Sequence, residues 1–314
     1  MNSPRILITS GSGFLGRYFL EELLKSDTTI RALQHDSSID TPPVEIFKGG
    51  LEDPASLDRA CEGIDVLVHL ATYIGEDAGR CEMVNARGTE TLVDIAVSAG
   101  VKRILYVSSA GIYGKAIHRD ADESEVVAAP YTPISRSRLA AEEAVLDAGG
   151  IVIRPLFVYG RGDTRFIPTI IRSVRRLPFI VRGGRARISV ITAEDLSRTA
   201  CALALTPQFS PGIYHANDGC PVRFAEIIQE LAALLGTLVP RISLPYKAAL
   251  MALRLSSPGL LGSRRWSDST AHRLFLVSYD HFYDSGRLWK ETGLSPGPPI
   301  IERLKDYYEW YWSF

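Results

Sequence analysis

From residue 5 to about 160, short apolar, β-branched runs alternate with stretches whose apolar positions recur at helical spacing. The runs Arg5–Thr9, Thr29–Leu33, Glu45–Lys48, Val66–His69, Arg103–Ser108 and Ile151–Arg154 read as strands. Several of them have no polar face, as expected for a parallel sheet covered on both sides. Leu15–Lys25 and Thr89–Ala99 read as the covering helices. This repeated strand–helix order predicts an α/β fold, a Rossmann-type doubly wound parallel sheet. After Gly160 the pattern loosens. Proline and glycine cluster at Pro207–Gly212 and Ser256–Gly262, and helical spacing is visible near Phe166–Arg176, Ala225–Leu235 and Tyr246–Leu255. The expected layout is a dinucleotide-binding domain over residues 1–162, with 186–206 returning to it, and a smaller, partly helical C-terminal substrate domain over most of 163–314.

With 314 residues and 46% hydrophobic content, the chain can bury a large core. Its 35 basic and 36 acidic residues leave a net charge of -1, which argues against nucleic acid or anionic membrane as a partner and toward a small molecule. Cys61, Cys81, Cys201 and Cys220 are scattered, without a paired motif or a histidine cluster, so neither a metal site nor a disulfide framework is expected. No leader precedes the first strand and no apolar run is long enough to span a bilayer, which places the expected protein in the cytoplasm, as a monomer or homodimer. The aromatic-dense Lys305–Phe314 reads as a packed terminal helix.

Chemistry enters at residues 6–16, ILITSGSGFLG. Gly11, Gly13 and Gly16 stand in G-x-G-x-x-G register directly after a strand and before an amphipathic helix, the context that turns a common spacing into a dinucleotide signature. The first glycine permits the tight turn, the second lets backbone approach a pyrophosphate, and the third lets helix and sheet pack closely. The second strand ends in Gln34 and His35 rather than in the carboxylate that usually binds the ribose hydroxyls. With Arg31 near, a 2′-phosphate is tolerable and NADPH is expected, NADH remaining open because Asp36 stands one residue further on.

Together with TSGSGFLG, the segments HLA at His69–Ala71, VNARGT at Val84–Thr89, VSSAGIYG at Val107–Gly114, IRPLFVYG at Ile153–Gly160 and the stretch Asp284–Pro296 make the chain resemble the extended short-chain dehydrogenase/reductases, relatives of the NAD-dependent epimerases and dehydratases. The resemblance runs over nearly the whole length. Ser10 stands where that family usually has a glycine, and Gly50 where an adenine-contacting Asp is common. The resemblance implies cofactor contacts from Ser10, Gly11, Gly13, Phe14, Leu15, Gly16, Gln34, His35, Leu51, Leu70, Ala71, Arg138, Pro155 and Val158.

In the family a hydroxyl holds the substrate oxygen, a Tyr transfers the proton, and a Lys four residues later lowers the Tyr pKa and holds the ribose. Ser109 matches the hydroxyl, but the landmarks Ser137 and Glu142 put Ile134 at the Tyr position and Arg138 at the Lys position. Isoleucine transfers no proton and arginine is not an acid near neutrality, although Arg138 can still bind ribose and supply fixed charge. Tyr113 and Tyr131 are the nearby tyrosines, each more naturally a wall or packing residue. Hydride transfer needs only cofactor and a positioned carbonyl, and a phenol on the substrate could supply the proton. The resemblance, nearer to hydroxysteroid and dihydroflavonol enzymes through the apolar Leu244–Gly262 and including angucyclinone-type ketoreductases, implies reduction of an aromatic or polycyclic, polyketide-type ketone. The alternatives are a sugar-nucleotide epimerase or reductase, for which Arg161, Arg165, Arg182, Arg185 and Arg187 could meet the diphosphate unless they pair with Glu194 and Asp195, and a non-catalytic NADP(H) sensor. His69 and His215 read as strand-end residues.

Overall fold

The computed structural model describes residues 3–35, 44–206, 210–255 and 267–313. Seven strands make one parallel sheet: β1 (Arg5–Thr9), β2 (Thr29–Gln34), β3 (Val44–Lys48), β4 (Val66–His69), β5 (Arg103–Val107), β6 (Ile151–Pro155) and β7 (Gly212–Ala216), in the order β7-β6-β5-β4-β1-β2-β3. The direction of winding reverses between β1 and β4, the position at which a doubly wound sheet opens a crevice beyond its carboxyl ends. The α-helices of seven residues or more among the described residues are α1 (Phe14–Leu23), α2 (Pro54–Cys61), α3 (Gly88–Ser98), α4 (Pro133–Asp147), α5 (Ile167–Arg176), α6 (Ala193–Leu205), α7 (Phe224–Leu234), α8 (Tyr246–Leu255), α9 (Asp268–Leu276), α10 (Gly286–Thr292) and α11 (Ile300–Trp312).

The two-residue period of the strands divides the core. Ile6, Ile8, Val68, Leu105 and Ile153 face Phe19 and Leu20 of α1 and Leu196 and Ala200 of α6. Leu7, Leu67, Ile104, Tyr106 and Val152 face the other way, onto Leu57, Leu92, Val93, Ala141 and Val145. Each such fully buried aliphatic side chain is worth about 1.5–3 kcal/mol of transfer free energy, which explains why these runs carry no polar face. The strands read from the sequence match to within a residue. Gly212–Ala216 had no such signal, yet it pairs in parallel with Ile151–Pro155 and extends the sheet.

A third cluster joins Ile167, Ile170 and Ile171 of α5, Ile227 and Leu231 of α7, and Ile300, Leu304 and Tyr307 of α11. The aromatic tail, apart from Phe314 outside the described residues, is thus a packed helix, and the Tyr307 hydroxyl donates to the Asp163 carbonyl at 3.0 Å. Asp195 pairs with Arg198 at 2.9 Å, not with the junction arginines. The proline–glycine segment 256–262 lies outside the described residues, as do 207–209. Among the described residues no helix is long and apolar enough to cross a membrane, and no group of three or more His, Cys, Asp or Glu could hold a metal ion.

Candidate active site

The glycine loop leaves β1 through Ser10, whose φ of 62° is the left-handed conformation that a glycine adopts without cost. Gly16 is required by contact: a Cβ there would lie 2.6 Å from the carbonyl carbon of Gly11. At Gly13 no side chain caps α1, so the first-turn N–H groups stay open to an anion. Phe14 and Leu15 open this helix half-buried, Phe14 edge-on to Tyr18 with centroids 5.8 Å apart. An uncapped helix start behind a glycine cradle fits a dinucleotide pyrophosphate.

At the end of β2 the Gln34 side chain is buried, and its Nε2 has no hydrogen-bond partner among the described residues. A buried amide donor left unpaired fits a ligand oxygen, here a ribose hydroxyl or a 2′-phosphate. Arg31 does not serve this role as the sequence suggested. Its Nε is paired with Glu45 at 3.0 Å, and its Nη1 donates to the carbonyls of Ala60 and Glu62 at 2.9 and 3.0 Å. His35 is exposed beside Gly50, where a Cβ would come 2.7 Å from the imidazole Cδ2. The absence of a side chain at 50 therefore makes room for His35. Asp36 lies outside the described residues, and Leu51 is buried against Gly88.

Beyond β4, the backbone N–H groups of Leu70 and Ala71 both donate to Thr9 Oγ1, at 3.0 and 2.9 Å. These two residues therefore offer a ligand their carbonyls and surfaces, not their N–H groups. With two donors on its oxygen, Thr9 turns its own proton to Nδ1 of His69 at 2.9 Å, and Nε2–H of His69 donates to Thr89 Oγ1 at 2.9 Å. Complete burial pushes the His69 pKa down to about 3, so this strand-end ring is a neutral clamp. Pro155 ends β6, and Val158 lies next to it in the short strand Phe157–Tyr159, paired with Ile191.

Helix α4 begins with a capping box between Thr132 and Ser135 and has Pro133 in its first turn. That start sets Ile134 and Arg138 one turn apart on the same face. Both line a cavity of about 420 Å³ together with Ser109. The Ser109 hydroxyl accepts from the Gly111 N–H at 3.1 Å, and no described residue takes its proton, which is left for a ligand oxygen. Arg138 Nη1 donates to the Ser108 carbonyl at 3.4 Å, while its Nε has no partner among the described residues. The remaining walls are largely apolar, among them Ile74, Leu156, Ile180 and Val277. Phe157 and Phe166, which the sequence reading missed, stack within this wall at 4.4 Å and 11°.

Neither nearby tyrosine replaces the missing acid. Tyr113 is buried outside the cavity lining, its hydroxyl 2.6 Å from His215 Nε2 and accepting from Arg154 Nη1 at 2.8 Å. Burial raises its pKa to about 12, and burial likewise lowers that of His215 to about 4. Arg154 is clamped in turn by the fully buried carboxylate of Glu142. Tyr131 is exposed, with the ammonium of Lys115 3.5 Å from its ring centre. Arg165 lines the cavity, whereas Arg182 and Arg187 lie over the rings of Tyr279 and Phe282.

Comparison with known proteins bears on this arrangement. The model of the NAD dependent epimerase/dehydratase family matches residues 6–216. A ketoreductase of 4-hydroxy-2-methyl-3-oxo-4-farnesyl-3,4-dihydroquinoline-1-oxide from Stigmatella aurantiaca is 28% identical over 80% of this chain and 79% of its own length. The decarboxylating sterol-4-alpha-carboxylate 3-dehydrogenase of Mus musculus is 24% identical over 94% of this chain and 87% of its own. The structure of MoeE5 in complex with UDP-glucuronic acid and NAD superposes with a TM-score of 0.77 at 22% identity, covering 98% of this chain and 99% of that one.

Proposed function

The chain belongs to the NAD dependent epimerase/dehydratase family and is an enzyme of the extended short-chain dehydrogenase/reductase kind, and we propose that it is a ketoreductase of aromatic or polycyclic, polyketide-type ketones. The observation that carries this reading is the cavity against Ser109, whose wall stacks Phe157 on Phe166 and has Ile134 where the family's proton donor stands. A space of this size suits a drug-sized, flat, apolar ligand. The Stigmatella relative is named as a ketoreductase of an oxo-dihydroquinoline, an aromatic-fused ring ketone. Sugar-nucleotide epimerisation is the weaker reading, because it needs reversible proton transfer at position 134.

Within the site, Ser109 donates its free proton to the substrate oxygen and fixes the carbonyl, and the stacked pair Phe157–Phe166 offers the ring an aromatic wall. Arg138 holds ribose hydroxyls and places fixed positive charge beside the developing alkoxide. The nicotinamide, when bound, supplies the hydride. Because neither Ile134 nor Arg138 can release a proton at neutral pH, a phenol hydrogen-bonded to the target carbonyl gives its proton to the alkoxide oxygen, leaving a phenolate that regains a proton from water. NADPH is the proposed cofactor, supported by the lack of a carboxylate at the described end of β2, where the Gln34 amide can meet a ribose hydroxyl or a 2′-phosphate alike.

The test is oxidation of reduced nicotinamide against phenolic polycyclic ketones, their methyl ethers, simple ketones and 4-keto sugar nucleotides. Turnover of the free phenols with loss of at least about 100-fold in the methyl ethers is expected, the usual scale of one general acid. Equal turnover of phenol and ether would exclude the proton route, and turnover only of the sugar nucleotides would exclude the substrate class.

A further inference from the structure

His272 projects from α9 into the same cavity as Ser109, Ile134 and Arg138. It is 6% exposed, and neither ring nitrogen makes a hydrogen bond of normal geometry among the described residues, although the Gly111 backbone is close enough to favour its protonation. The intervening glycine bounds its separation from Ser109: a Cβ built on Gly111 would lie 3.3 Å from Ser109 Oγ and 3.8 Å from His272 Nε2. The two polar atoms thus flank one point of the wall, close enough for two oxygens of one ligand. The Tyr131 ring lies nearly parallel to the imidazole, with centroids 6.3 Å apart and 18° between the planes.

Neither plain packing nor a structural clamp accounts for this ring. A packing residue would bury an apolar ring of similar size at no polar cost, whereas each unpaired nitrogen here forfeits its hydrogen bond to water. A structural clamp would look like His69, both of whose nitrogens are engaged. The ring is also held neutral. Burial lowers its pKa to about 4, with His281, Lys115 and Arg273 opposing protonation and only the Gly111 backbone favouring it. A neutral imidazole has one donor and one acceptor nitrogen, which matches a hydroxyl better than an ion.

We propose that His272 is a substrate-binding residue that hydrogen-bonds a ring hydroxyl beside the reacting carbonyl, and thereby selects hydroxylated aromatic ketones over their unsubstituted parents. This rests on the ketoreductase reading above. It assigns to the α9 wall of the cavity a selectivity element that the glycine loop and the Ser109 segment do not supply.

The test uses the full chain with 8-hydroxy-1-tetralone and 1-tetralone, titrated by calorimetry so that no turnover is needed, in wild type, His272→Phe, His272→Leu and His272→Asn. Loss of one hydrogen bond predicts that Phe and Leu weaken the hydroxyketone about 5- to 30-fold and leave the parent ketone within about twofold, with Asn restoring part of the difference. Comparison of two ligands on one variant cancels any general loss of fold, and the melting transition of each variant is recorded beside it. Equal weakening of both ketones, or of neither, overturns the assignment of His272 while leaving the ketoreductase reading intact. Failure of the wild type to bind either ketone defeats the aromatic-substrate reading, and the assignment falls with it.

Discussion

The Tyr113 hydroxyl lies 2.6 Å from Nε2 of His215, and both rings are buried behind the cavity wall. This tyrosine, four residues after Ser109, is therefore a strut between the β5 loop and β7, and it is not a displaced proton donor. Tyr113→Phe would strand Arg154 Nη1 and His215 Nε2, at a stability cost of about 1–3 kcal/mol. Turnover of a phenolic ketone should stay within a few-fold. Thermal melting and steady-state kinetics on the same preparation check this, and a turnover loss of 100-fold without a change in melting would reassign the proton to Tyr113.

Ser109, proposed to orient the substrate carbonyl, lines the cavity with no described residue taking its hydroxyl proton. Ser109→Ala should lower kcat/KM by roughly 10²- to 10³-fold, the scale for one well-placed donor to a developing oxyanion. Melting should barely move, since the hydroxyl is held by a single N–H, that of Gly111. A variant of nearly full activity would show that another group orients the carbonyl.

Ile134 and Arg138 lie one helical turn apart on the cavity face of α4. The double variant Ile134→Tyr, Arg138→Lys should raise turnover of an aromatic ketone without a phenol by at least about 10-fold, part of the 10²–10⁴ that a general acid contributes. The gain on the phenolic ketone should be smaller, because that substrate already carries its acid. The ratio of the two kcat values is the readout, and an equal gain on both would count against proton donation by the substrate.

Buried neutral histidines set an acid limit. Burial lowers the pKa of His69 to about 3 and of His215 and His272 to about 4, from 6.5 in the open chain. Below 6.5 the unfolded chain takes up protons that the native state refuses, so stability is full above that value and falls as pH drops from 6.5 toward 4. Urea midpoints should decline across this window and be flat from pH 7 to 8, apart from other titrating groups. His69→Gln, which removes the ring with the largest shift, should flatten the acid slope.

Gln34 decides the cofactor if the ribose lies where its unpaired amide points. Gln34→Asp places a carboxylate at the end of β2, which accepts from a 2′-hydroxyl and repels a 2′-phosphate. The ratio of NADPH to NADH dissociation constants should shift at least about 10-fold toward NADH. An unchanged ratio would move selection to His35 or to the segment beyond it.

The glycine loop was legible because its physics is local: the turn, the close approach and the open helix start all lie within residues 8–17. Strands β1, β4, β5 and β6 were legible because burial on both faces leaves an unmistakable run. Arg31 was misread for the opposite reason. Its partner Glu45 sits opposite it in the β2–β3 register, a pairing that no spacing along the chain reveals. His272 was invisible because the DSTAHRLFL helix is amphipathic whichever neighbour it faces. The strand Gly212–Ala216 follows a proline-rich stretch and carries Tyr and His, so its apolar run is too short to stand out.

The route of the chain between the sheet and the cavity walls constrains how such an enzyme can change its diet. After β6 the backbone builds α5 in the wall, returns to lay α6 against α1, builds β7 into the sheet edge, leaves for α7–α9, and comes back at α10, where Leu288 joins the core of Ile6 and Ile8. A hybrid that grafts a foreign C-terminal half after residue 162 would strip the sheet of an edge strand and one covering layer. Exchange of that half therefore reaches into the core of the sheet, whereas replacement of wall residues leaves that core untouched.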